Sequence, residues 1–122
     1  MEPVVESPRQ GVCIVRVSGE LDLATAPAFE AAIKNALAGR PRLLVADLSD
    51  LTYINSSGMY VLLKADIQLS RQGGRVAIFG ARPEVKIPLD LVGLSQRIRC
   101  VNSIAEAQSC LASGNRACRS NA

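Results

Sequence analysis

The run Leu43-Leu44-Val45-Ala46-Asp47-Leu48 is apolar on both of its alternating faces. A strand with one wet face alternates apolar and polar residues, and a strand covered on both sides does not. The run therefore predicts a central strand, and the rest of the chain must supply helices to cover it. Val12 to Ser18 alternates as a neighbouring strand, with Cys13, Val15 and Val17 on one face and Val12, Ile14 and Arg16 on the other. Val4 and Val5 read as a short strand before it, and Gly19-Glu20-Leu21-Asp22 as a turn after it. Thr25 suits a helix N-cap with Pro27 in the first turn. Phe29, Ile33, Ala36 and Leu37 then recur at helical spacing, and Gly39 ends the helix where a left-handed residue is favoured.

The second half repeats the alternation. A helix from near Ser57 to about Arg71 directs Met59, Leu62, Leu63 and Ile67 at the core, leaving Asp66 and Ser70 inside the apolar arc. Gly73-Gly74 closes it, and Arg75 to Phe79 is a short strand. Arg82 to Gly93 is helical but interrupted. Pro88 lacks an N–H, so the pattern predicts one turn of helix and a restart at Pro88. Arg97 to Val101 reads as an edge strand, and Ser103 with Glu106 as a capping box for a last helix to about Ala112. Strands alternating with helices predict one α/β domain over residues 1–112, with a mixed sheet of four to five strands and about four helices. Residues 113–122 are rich in Ser, Asn, Gly and Arg and read as a disordered tail.

Asn55-Ser56-Ser57-Gly58 lies where the central strand passes into the second long helix. A serine there can cap the helix, beside backbone N–H groups that have no partner of their own. Such a position suits an anion, and a phosphate would add about −1.5 to −2 charges. Gly58 reads as a close-packing position.

Other chemistries lack their residues. The chain has no histidine, which removes Ser-His and Cys-His pairs and histidine metal ligands. Cys13, Cys100, Cys110 and Cys118 include no Cys-x-x-Cys pair; the first three read as small apolar residues and Cys118 as an exposed thiol. A net charge of +3 without aromatic-interleaved basic runs gives no sign of direct nucleic-acid binding. No apolar run approaches the roughly 20 residues needed to span a bilayer, and the first ten residues do not read as a signal peptide. The expectation is a soluble cytoplasmic protein with no cofactor, no metal and no enzymatic activity.

Three segments in order resemble the STAS domain family, specifically the bacterial anti-sigma factor antagonists. They are Gly19-Glu20-Leu21-Asp22, then Leu48 to Met59 around Asn55-Ser56-Ser57-Gly58, then Leu89-Asp90-Leu91-Val92-Gly93-Leu94. The resemblance implies a partner switch. The unphosphorylated domain binds an anti-sigma factor that is also a serine kinase, which frees a sigma factor. Phosphorylation of Ser56 ends the complex, and a serine phosphatase resets it. The resemblance further implies a partner-binding surface of Asp22, Asn55, Ser56, Ser57, Gly58, Met59 and Tyr60. Asn55 stands where the family carries aspartate, keeping the turn chemistry without the charge. Tyr60 stands where a small residue is usual. The alternative role within the family is a non-phosphorylated scaffold or transport-complex subunit, which Asn55 keeps open.

Overall fold

The structure, a computed structural model, describes residues 2–113, with side chains through residue 109. Of the expected tail only Ser113 is included; the rest of it, Cys118 and the Cys110 side chain lie outside the described residues. The elements in chain order are β1 (Val4–Arg9), β2 (Val12–Leu21), α1 (Ala26–Ala38), β3 (Leu43–Ile54), α2 (Ser56–Arg71), β4 (Arg75–Phe79), α3 (Pro83–Leu91), α4 (Leu94–Arg97), β5 (Arg99–Val101) and α5 (Ile104–Ser113). The strands form one sheet in the order β1-β2-β3-β4-β5. β1 is antiparallel to β2, and the remaining pairs are parallel.

The double-sided burial expected of the central strand is present. On one face Leu44, Ala46 and Leu48 join Val15, Val17 and Ile78 beneath Phe29 and Ile33 of α1, Leu62 and Leu69 of α2, and Val85 and Leu89 of α3. On the other, Leu43 and Val45 join Val12, Ile14 and Ala77, with Ala107 and Ile104 of α5 packed against them. Burying one such aliphatic side chain is worth about 1.5–3 kcal/mol. A core of this kind needs no disulfide.

Four local expectations are corrected. Gly19 to Leu21 are strand, not turn, because β2 continues beside the extended β3 through a register shift, and the chain turns only at Asp22. The helix through Pro88 is continuous, Pro83–Leu91. Pro88 forfeits the bond to the Glu84 carbonyl, but Glu84 is exposed and water can serve it, while buried Val85 and Leu89 hold both halves on the core. The α2 stripe is rotated. Val61, Leu62, Ala65, Asp66 and Leu69 are buried, whereas Met59, Leu63 and Ile67 are only half-buried. Asp66 can lie inside because Arg97 Nε approaches its Oδ2 at 2.9 Å, Arg75 at 3.8 Å, and the Val76 N–H donates to its Oδ1 at 3.3 Å.

The fourth correction concerns the end of α1. Gly39 is right-handed at φ −81°, and the left-handed residue is Arg40 at φ +51°. A side chain in that region crowds its own backbone. Arg40→Gly is therefore expected to raise stability by about 1 kcal/mol. A urea midpoint that stays put or falls would mean that Arg40 side-chain contacts offset the strain.

One carboxylate network sets the acid limit of the fold. Arg16 Nε donates to Asp47 Oδ2 at 2.9 Å, while the Ser49 N–H and hydroxyl donate to Oδ1 at 3.0 and 2.6 Å. Burial pushes Asp47 up, but these hydrogen bonds and the Arg16 charge outweigh it and hold the carboxyl below its ordinary range. Glu106 is lowered by the Asn102 N–H and Arg99, and Asp90 by Ser95 and Lys86. A depressed carboxylate stabilises the fold above its unfolded pKa, and that contribution is lost as pH falls through the folded value. Burial pushes the Cys13 and Cys100 thiols up, and there is no histidine. Stability should be level between about pH 5 and 8 and decline below about pH 4. A slope in urea midpoints between pH 6 and 7 would contradict this assignment.

Candidate functional site

β4 pairs with β3 only as far as Asp47 opposite Phe79, whereas β2 accompanies β3 to Leu21 opposite Ile54. The two strands thus run on together to one end of the sheet. The chain turns there at Asn55 and enters α2.

Asn55 is held at three points. Its N–H donates to the Leu21 carbonyl at 3.1 Å, its Oδ1 accepts from the Ser57 N–H at 3.0 Å, and its carbonyl accepts from the Met59 N–H at 3.1 Å. The capping role expected of the serine therefore belongs to Asn55, whose extended backbone suits an N-cap. Ser56 becomes the first helical residue. It is exposed, and its hydroxyl makes no hydrogen bond among the described residues. No acidic residue lies in the first turn of α2.

Gly58 sets how closely this turn seats. A Cβ there would fall 2.5 and 2.6 Å from Leu21 Cγ and Cδ2, and 3.2 Å from Ile54 Cγ1. Only a glycine lets α2 start directly on the ends of β2 and β3.

Asp22 reaches the same end of the sheet, one residue beyond Leu21. Its Oδ1 accepts from the Ala24 N–H at 3.0 Å and the Thr25 N–H at 3.1 Å. Thr25, expected to cap α1 with its side chain, instead gives its hydroxyl to the Glu20 carbonyl at 2.8 Å. Asp22 thus stands beside the Asn55 turn with its carboxylate engaged in its own loop.

Met59 and Tyr60 line a groove of about 570 Å³ together with Ser56, Ser57, Leu63, Val92 and Leu94. Tyr60 is 59% exposed, and the Lys64 ammonium lies 4.8 Å from its ring centre. Lys64 is itself anchored on Glu30. The Lys64 hydrogen bond holds the Glu30 carboxyl below its ordinary range, and Glu30 raises Lys64 in return. The structure so brings all seven expected residues to one end of the domain. It adds Leu63, Val92 and Leu94, which the sequence reading did not place in the site. Part of the signal was present: Leu91, two residues after buried Leu89, cannot share its helical face. It is 81% exposed, and Val92, at the end of the helix, is 63% exposed.

Among the described residues, no group of three or more His, Cys, Asp or Glu side chains gathers where a metal could be held. Nor is any helix long and apolar enough to cross a membrane. Fold and site define a small α/β domain that presents an exposed serine beside an apolar groove.

The comparisons narrow that class. The STAS domain pattern matches residues 5–107. The anti-sigma-F factor antagonist RsfB of Mycobacterium tuberculosis is 29% identical over 104 residues, which is 85% of this chain and 84% of that one. An anti-sigma F factor antagonist of Paenibacillus polymyxa is 35% identical over 86 residues, 70% of this chain and 74% of its own. The crystal structure of an anti-sigma factor antagonist from Mycobacterium paratuberculosis aligns with a TM-score of 0.79 at 32% identity, over 90% of this chain and 92% of that one. The chain belongs to the STAS domain family, within its anti-sigma factor antagonists, which are regulators and not enzymes.

Proposed function

We propose that this domain is a cytoplasmic partner switch operated at Ser56. In the unphosphorylated state it docks an anti-sigma factor that is also a serine kinase, and a sigma factor is released. Asp22, Asn55, Ser56, Ser57, Gly58, Met59 and Tyr60 form the contact. The kinase moves a phosphoryl group to the Ser56 hydroxyl, the complex separates, and a serine phosphatase restores the hydroxyl.

The observation that carries this reading is the exposed Ser56 hydroxyl on the rim of an apolar groove. A phosphate there is compatible with the free fold. It sits at a helix N-terminus with no acidic residue in the first turn. Asn55 helps, since an aspartate in its place would repel the phosphate. In a complex the same phosphate loses water against the partner, and burying an unpaired charge costs several kcal/mol. Each 1.4 kcal/mol is about tenfold in affinity. The switch therefore needs no refolding.

The test is capture from native lysate on wild type, Ser56→Ala and Ser56→Glu. Wild type and Ser56→Ala should hold a kinase-type anti-sigma factor, and Ser56→Glu should bind it about 100-fold more weakly. Wild type should also carry phosphoserine. Equal capture on all three baits, with no phosphoserine, would sink the switch. It would favour the second reading, which rests on Asn55: a constitutive STAS scaffold or transport-complex subunit, without the acidic residue a kinase could read.

A further inference from the structure

The end of the sheet opposite Ser56 is built from arginine. The parallel strands β2, β3, β4 and β5 all start there, and β1, α1 and α2 all end there. The loops are stitched together: the Arg42 N–H donates to the Gly11 carbonyl at 2.8 Å, and the Arg75 N–H to the Arg42 carbonyl at 2.9 Å. Arg40 and Arg42 in these loops, with Arg9 at the end of β1 and Arg71 at the end of α2, are exposed. Among the described residues, none of the four forms an ion pair. The nearby carboxylates are already engaged, Asp66 with Arg75 and Arg97, and Glu106 with Arg99. Glu20, Asp22 and Asp50 all lie at the Ser56 end. These arginines lie at the far end of α2 from Ser56, separated from it by the 16 residues of that helix, about 24 Å.

We infer that this arginine pole is a docking site for a carboxylate-rich segment of a second protein. Guanidinium groups pair with carboxylates through two parallel hydrogen bonds, which a lysine ammonium cannot do. Among the described residues the pole holds no exposed aromatic side chain on which single-stranded nucleic acid bases could stack. Among the described residues it also holds no exposed large apolar side chain to enter a lipid surface. Arg40 adds an independent sign. It is the one non-glycine residue with positive φ among the described residues, so the fold keeps a charged side chain where glycine would sit without strain. The pole does not depend on the state of Ser56, and both ends of the domain can be occupied together.

The experiment measures binding of a labelled, short polyglutamate peptide to the wild-type protein and to two double variants. Arg40→Gly with Arg42→Ser alters the pole, and its glycine suits the backbone. Arg82→Ser with Lys86→Ser removes the same net charge around the start of α3. The pole variant should bind about tenfold more weakly and the control within twofold of wild type. The interaction should also weaken with salt. Equal losses in both variants, or no saturable binding to wild type, would overturn the inference. So would tighter, pole-dependent binding of a short single DNA strand, which would make the pole a nucleic-acid site. None of these outcomes bears on the Ser56 switch.

Discussion

Arg97→Met is expected to destabilise the domain by about 3 kcal/mol, more than its half-exposed position suggests. Asp66 is fully buried in α2, and its carboxylate meets Arg97 at 2.9 Å, Arg75 at 3.8 Å and the Val76 N–H at 3.3 Å. Removing Arg97 leaves a buried charge with one hydrogen bond and one more distant cation. Removing the carboxylate is a different perturbation. The side chains of Arg75 and Arg97 are 36% and 39% exposed and can turn to water. Asp66→Asn also keeps an acceptor for Val76, so it should cost only about 1 kcal/mol. The order is the test: urea unfolding in which Asp66→Asn proves worse than Arg97→Met would show that the arginines, not the carboxylate, are the group that needs the pair. The cluster links α2, β4 and α4, so Arg97→Met should also speed amide exchange in α4.

The second large effect is at Gly58. Alanine normally improves a helix by up to about 1 kcal/mol over glycine. Here the new methyl group would stand 2.5 Å from Leu21 Cγ, and Leu21 is fully buried. Overpacking of this kind costs about 1–3 kcal/mol. Gly58→Ala should therefore lose about 2 kcal/mol net, and the bulkier Gly58→Val more. The displacement also lifts the first turn of α2 from the end of β2, which stretches the Asn55–Ser57 and Asn55–Met59 hydrogen bonds. Hydrogen exchange at Ser57 and Met59 should rise while the core strands stay protected. A Gly58→Ala domain as stable as wild type would mean that the strand ends give way, and that the close seating of the Ser56 turn is not required.

These two positions also show what sequence could and could not tell. The run at Leu43 announced a strand covered on both sides, and from it the alternation and the α/β architecture followed. Periodicity failed where a distant partner decides. The pattern of α2 points Met59, Leu62, Leu63 and Ile67 at the core and leaves Asp66 inside that arc with no local partner. Its burial depends on Arg97, 31 positions away, and no local rule carries that information. The apolar run stops at Leu48, and Ser49, Asp50 and Thr52 beyond it are polar. The strand goes on because Leu51 and Ile54 are buried and β2 continues alongside. At the site, the motif and its position were legible, while the division of labour was not. Asparagine and serine are both good caps, and only the Oδ1–Ser57 contact assigns the cap to Asn55 and leaves the Ser56 hydroxyl exposed.

The strand order has a bearing on how the domain is made. Each strand pairs with the one before it in the chain, beginning with the hairpin closed at Gln10-Gly11. No strand has to wait for a neighbour that is synthesised later, and each new one needs only the intervening helix to close the loop. Chains emerge from the ribosome at about 5–20 residues per second, far more slowly than a hairpin forms in about 1–10 μs. The sheet can therefore be extended in the order of translation, with a single growing edge exposed at any moment. That edge ends on β5, a strand of three residues, too short to recruit a foreign strand once growth stops.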